Sequence, residues 1–85
     1  MTYDSQQNVK HLMEYQERVV TELENQRQRI NMSERELSRT AGVNRTNWQR
    51  IKKGQKAMTL IELAALCEAL ALKVEMAVWR ATLST

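Results

Sequence analysis

The chain has 85 residues, 42% of them hydrophobic and 27% charged, with no proline and two glycines. That suffices for one small, mainly helical domain with a modest core, and excludes a disordered segment or a two-domain protein. The net charge of +3 is unevenly spread: from Arg27 to Lys56 nine basic residues stand against two acids, a net of +7, and the remainder carries −4, which points to a surface that faces a polyanion.

In chain order, residues 5–30 read as one long helix. Val9, Leu12, Met13, Val19, Val20, Leu23 and Ile30 recur at helical intervals, Asp4 or Ser5 is a candidate cap, and the apolar stripe is interrupted around Gln16 and Gln26. Residues 33–54 then read as two short helices. Ser33 and Glu36 have the spacing of a capping box, in which the hydroxyl accepts from the third backbone N–H and the carboxylate reaches back to the cap. Leu37 and Ala41 lie one turn apart, facing a core, and Gly42 supplies the positive φ that ends a helix in a tight turn. Asn44 is an N-cap for the next helix, Trp48 and Ile51 mark its buried side, and Gly54 ends it. Two short helices joined through Gly42-Val43-Asn44 form a helix-turn-helix arrangement.

A second capping box, Thr59 with Glu62, opens a helix over residues 59–71, whose broad apolar face (Leu60, Leu63, Ala64, Leu66, Cys67, Leu70) is expected to close the core. From Leu72 the pattern changes. Leu72, Val74, Met76 and Val78 alternate with Lys73, Glu75, Ala77 and Trp79, a period of two that predicts a strand over residues 72–80. A helix is the alternative, since Leu72, Met76, Trp79 and Leu83 also fit a helical stripe. No other stretch reads as a strand, so this one is expected to pair with its own copy across a two-fold axis, making Val74, Met76, Val78 and Trp79 the dimerisation residues.

Cys67 has no internal disulfide partner and reads as a small buried apolar residue. There is no apolar run of the ~18 residues that span a bilayer, and the first seven residues lack a signal-peptide core, so a cytoplasmic location is expected. No Ser/His/Asp or Cys/His set, Gly-rich phosphate loop or metal-ligand cluster is present, so neither an enzyme nor a cofactor or metal site is expected. His11 reads as a surface residue.

The stretch Met32-Ser33-Glu34-Arg35-Glu36-Leu37-Ser38, then Ala41-Gly42-Val43-Asn44-Arg45-Thr46-Asn47-Trp48-Gln49-Arg50-Ile51, then Gly54, resembles the helix-turn-helix family of lambda-repressor-like and xenobiotic-response-element-like (XRE) bacterial regulators. The resemblance runs from about Leu23 to Leu72. The segment from Leu66 to Met76 is similar to the last helix and strand of HipB-like antitoxins, whose strand pairs across the dimer. Three residues depart from the family pattern. Glu34 stands where many members have a Gln that helps clamp a phosphate; an acid there repels DNA while favouring the helix N-terminus. Lys52 stands where an acid is common, and Trp48 replaces a smaller Ile or Val at a buried site.

The resemblance implies a lambda-repressor-like helical bundle that lays its second short helix in the major groove of double-stranded DNA as a homodimer on a palindromic site. Arg45, Thr46, Asn47, Gln49 and Arg50 are then the candidates for base contacts. Ser33 and Asn44, at helix starts, and Lys52, Lys53 and Lys56 are the candidates for phosphate contacts, with Arg35 and Arg39 assisting. The expected function is a transcriptional regulator, in particular a repressor. The alternatives are an antitoxin that binds a small toxin protein and controls its own operon, or a helix-turn-helix used only as a scaffold.

Overall fold

A computed structural model describes the backbone of residues 5–83 and the side chains of residues 11–83, so the caps considered at Asp4 and Ser5 lie outside the described side chains. Five helices follow one another: α1 (Ser5–Arg29), α2 (Glu34–Ala41), α3 (Arg45–Lys52), α4 (Leu60–Ala69) and α5 (Val74–Leu83). Val19, Val20, Leu23, Leu37, Val43, Trp48, Ile51, Leu66, Cys67, Leu70, Ala77 and Ala81 form the buried core. Packing runs chiefly between α1 and α5 and between α2 and α4.

The two glutamines that interrupt the apolar stripe of α1 join it to the rest of the chain. Gln16 Nε2 donates to the carbonyls of Ile51 (3.1 Å) and Lys56 (2.8 Å), and Gln16 Oε1 accepts from the Met58 N–H (2.6 Å). One amide therefore holds both ends of the segment after α3, satisfying backbone groups that no helix ladder serves. Gln26 Nε2 does the same for the Leu70 carbonyl at the end of α4 (3.0 Å). Beyond α1, Asn31 takes a left-handed φ of 60°, which Asn tolerates better than most side chains, and Arg27 Nη1 donates to the Met32 carbonyl (2.8 Å).

Three caps start the following helices. Ser33 Oγ accepts from the Glu36 N–H (3.0 Å), Asn44 Oδ1 from the Asn47 N–H (2.8 Å) and Thr59 Oγ1 from the Glu62 N–H (3.0 Å). Only the Thr59 box is reciprocal, with Glu62 Oε1 accepting from the Thr59 N–H (2.9 Å); at Ser33 only the hydroxyl half forms among the described bonds. Gly42 and Gly54 both take a φ of 72°, where any other residue is strained. The start of α4 departs from the expected apolar face: Leu60 and Ile61 are 72% and 77% exposed, and the core contact begins at Leu63 and Leu66.

The largest correction concerns residues 72–80, which form no strand. They lie in the approach to α5 and in α5 itself, and no strand occurs among the described residues. The helix α4 ends in a Schellman turn made without glycine: Ala71 adopts a φ of 54°, Leu72 N–H donates to the Cys67 carbonyl (2.9 Å) and Ala71 N–H to the Glu68 carbonyl (3.1 Å). A new helix starts at once, so the backbone groups that a lone strand would leave unpaired are satisfied within α5. Ala77 and Ala81, one turn apart, are the fully buried positions of α5, and their small side chains let it lie close on α1. The alternation of Val74, Met76 and Val78 follows neither face. Val74 packs on the core, while Met76, Val78 and Trp79 are exposed. The pairing of two strands across a dimer therefore has no basis here. Cys67 is free and buried, and desolvation pushes its thiol above the usual range.

Candidate nucleic-acid interface

The helix α3 is fixed by its inner face. Trp48 is 0% exposed and Ile51 1%, and the residues between and before them on the helix turn outward. Arg45, Thr46 and Arg50 are exposed, whereas Asn47 and Gln49 are half-buried at the flanks of that outer face. All five candidate base-contacting side chains thus sit on one short helix, and three of them stand free of the core.

Around α3 the charges are paired in a way their sequence positions do not announce. Lys52 Nζ makes a close ion pair and hydrogen bond with Glu34 Oε1, and lies 3.7 Å from Glu24 Oε1 and 5.6 Å from the centre of the Trp48 ring. Glu24 also binds Arg27 (2.6 Å). Gln49 Nε2 donates to the second oxygen of Glu34 (3.1 Å). One carboxylate at the start of α2 therefore holds two side chains of α3. The Lys52 hydrogen bond keeps the Glu34 carboxyl below its usual range, against the opposing effect of burial. The Glu34 and Lys52 departures from the family pattern are one feature: opposite charges 18 residues apart that meet across the helix-turn-helix.

The candidate phosphate-contacting residues fall into three groups. The Ser33 and Asn44 side chains are used as caps, at helix N-termini whose remaining N–H groups favour anions. Lys53 is exposed, as are Arg35 and Arg39. Lys52 and Lys56 are half-buried and hold acids, Lys56 Nζ lying 2.6 Å from Glu62 Oε1. That bond, with the Thr59 backbone N–H, holds Glu62 below the usual carboxylate range. The residues that sequence reasoning missed are Gln16, Glu24 and Glu34 as organisers of this end of the molecule. The opposite charges of Glu34 and Lys52, each a departure from the family pattern, are the available signal.

The sequence pattern of the Cro/C1-type HTH DNA-binding domain matches residues 22–75, from within α1 to the start of α5 and including the whole interface. The chain belongs to this family. It is a DNA-binding helix-turn-helix protein of the XRE and lambda-repressor-like kind, and a transcriptional regulator at that level of description. Neither curated proteins nor solved structures give a significant match to the chain. Among the described residues no group of three or more His, Cys, Asp or Glu is placed to hold a metal ion, and no helix is long and apolar enough to cross a membrane.

Proposed function

We propose that this Cro/C1-type domain is a sequence-specific repressor that binds a palindromic operator as a homodimer, with α3 in the major groove. The observation that carries the reading is the outer face of α3, where Arg45, Thr46 and Arg50 stand exposed over the buried Trp48 and Ile51. Arg45 and Arg50 are suited to the O6 and N7 of guanine and the Thr46 methyl to that of thymine, with Asn47 and Gln49 reaching bases from the flanks. Backbone N–H groups following Ser33 and Asn44, together with Lys53, bind phosphates. Lys52 and Lys56, already paired with acids, offset Glu34 and Glu62 where the DNA backbone approaches.

For the dimer, the exposed side chains Met76, Val78, Trp79 and Leu83 of α5 form the contact with a second copy, replacing the strand pairing expected from sequence. Exposed apolar side chains on α1, Leu12 and Tyr15, favour one further reading, an antitoxin whose partner is a small toxin. Co-purification of such a protein at fixed stoichiometry is its test.

The test of the main reading is selection of binding sites from random duplex DNA, followed by affinity measurements against scrambled DNA across a salt series. A palindrome with half-sites roughly 34 Å apart and affinity that falls steeply with salt is the expected result. Equal, weak binding to every sequence overturns it.

A further inference from the structure

We propose that Glu34 is a specificity-determining residue: it fixes the side-chain amide of Gln49 so that Gln49 meets DNA as a hydrogen-bond acceptor. The inference rests on the reading of α3 as the base-contacting helix and names what one of its residues selects. Gln49 lies one turn beyond Arg45 and Thr46 and shares their side of α3, toward the start of α2. A free glutamine offers both an oxygen acceptor and an NH₂ donor, so it pairs with adenine through two bonds or turns round to serve other bases. Gln49 lacks that freedom. Its Nε2 donates to Glu34 Oε2 at 3.1 Å, and an ionised carboxylate can only accept, so the reversed amide would set two oxygens against each other.

Glu34 is itself held. Its other oxygen binds Lys52, whose ammonium is enclosed by Glu24 and the face of Trp48. With the Lys52 bond as the largest cause, the carboxyl is held below its ordinary range, which favours the ionised form. That leaves Gln49 Oε1 as the oriented acceptor for the groove, with the second Nε2 N–H as the one donor still available beside it. Its match on a major-groove base edge is an exocyclic amino group, found on adenine (N6) and cytosine (N4) and absent from guanine and thymine there. The paired Lys52 at the same time cancels the charge that Glu34 would otherwise turn toward phosphates.

The experiment compares site selection by the wild type, Gln49→Ala and Glu34→Gln. The Gln49→Ala variant marks the base position that loses its preference, and at that position the wild type should favour adenine or cytosine roughly fivefold or more over guanine and thymine. Glu34→Gln is nearly isosteric but supplies both donor and acceptor, so the Gln49 amide is no longer forced and that preference should spread to guanine or thymine. A measurement on the wild type at the position so marked removes any dependence on how Glu34→Gln folds. If the selected base is adenine, replacing it with purine, which lacks the amino group, should weaken affinity about fivefold; if it is cytosine, 2-pyrimidinone should do the same. A guanine or thymine at the marked position overturns the proposal, as does affinity unchanged by loss of the amino group, an unchanged Glu34→Gln preference, or no position sensitive to Gln49→Ala. Those results leave sequence-specific binding by the wild type intact, whereas failure of the wild type to enrich any sequence removes the function of α3 itself.

Discussion

Helices α3 and α5 each carry one tryptophan and use it in opposite ways. In α3 the large ring is inside: Trp48 is 0% exposed and the outer face is left to Arg45, Thr46 and Arg50. In α5 the inside is made of Ala77 and Ala81, and the ring of Trp79 is 58% exposed with Met76, Val78 and Leu83 also outside. Bulk on the inner face anchors a helix whose outer face is free to be polar. Small residues on the inner face bring a helix close to its neighbour and leave its bulk for another surface. The two helices thus present different outer surfaces, one polar and charged and one apolar.

The contrast is sharpest when each ring is removed. Trp48→Ala should cost about 3–5 kcal/mol, because the cavity lies where α3 meets the core, and chemical denaturation should show the chain at or past its limit of stability. The inner face of α5 is tested by overfilling it. Ala77→Leu, at a position with 0% exposure, should destabilise by about 1–3 kcal/mol, while a chain in which those residues formed a strand with Ala77 outward would tolerate it.

Acid separates the two helices by charge. Glu34 and Glu62, held below the ordinary glutamate value of 4.5 by Lys52 and Lys56, bind protons less readily folded than unfolded. Their contribution is therefore complete above that value and is lost as pH falls through the lower folded values. Hydrogen exchange at successively lower pH should show α2 and α3 losing protection before α5. Smallest of all, Trp79→Ala should change the stability of the monomer by less than about 0.5 kcal/mol. Its effect on the proposed contact between α5 and a second copy should appear instead in sedimentation, as a shift toward monomer.

The parts of the fold that are plain in the sequence are those with local punctuation. Ser33, Asn44 and Thr59 start helices and Gly42 and Gly54 stop them, so α2, α3 and the start of α4 are placed to within a residue or two, and the candidate reading face follows from them. The hidden parts depend on residues far apart. Gln16 looks like a defect in a stripe until Ile51, Lys56 and Met58 are beside it. Glu34 looks repulsive to DNA until Lys52 folds onto it. Residues 72–80 read as a strand because the break before them has no glycine, and because alanine, the residue that α5 buries, barely registers in an alternating pattern.

That glycine-free break has a consequence for how robust the domain is. An alanine in the left-handed region is disfavoured by roughly 1–2 kcal/mol, and Ala71, at a φ of 54°, is exposed and bound to its surroundings chiefly through its backbone. Glycine there would relieve the strain, offset in part by the greater freedom it gives the unfolded chain. A net gain of about 0.5–1 kcal/mol would raise the melting temperature of a domain this size by several degrees. The connection between α4 and α5 thus leaves thermal headroom, within reach of a single replacement far from the reading face of α3.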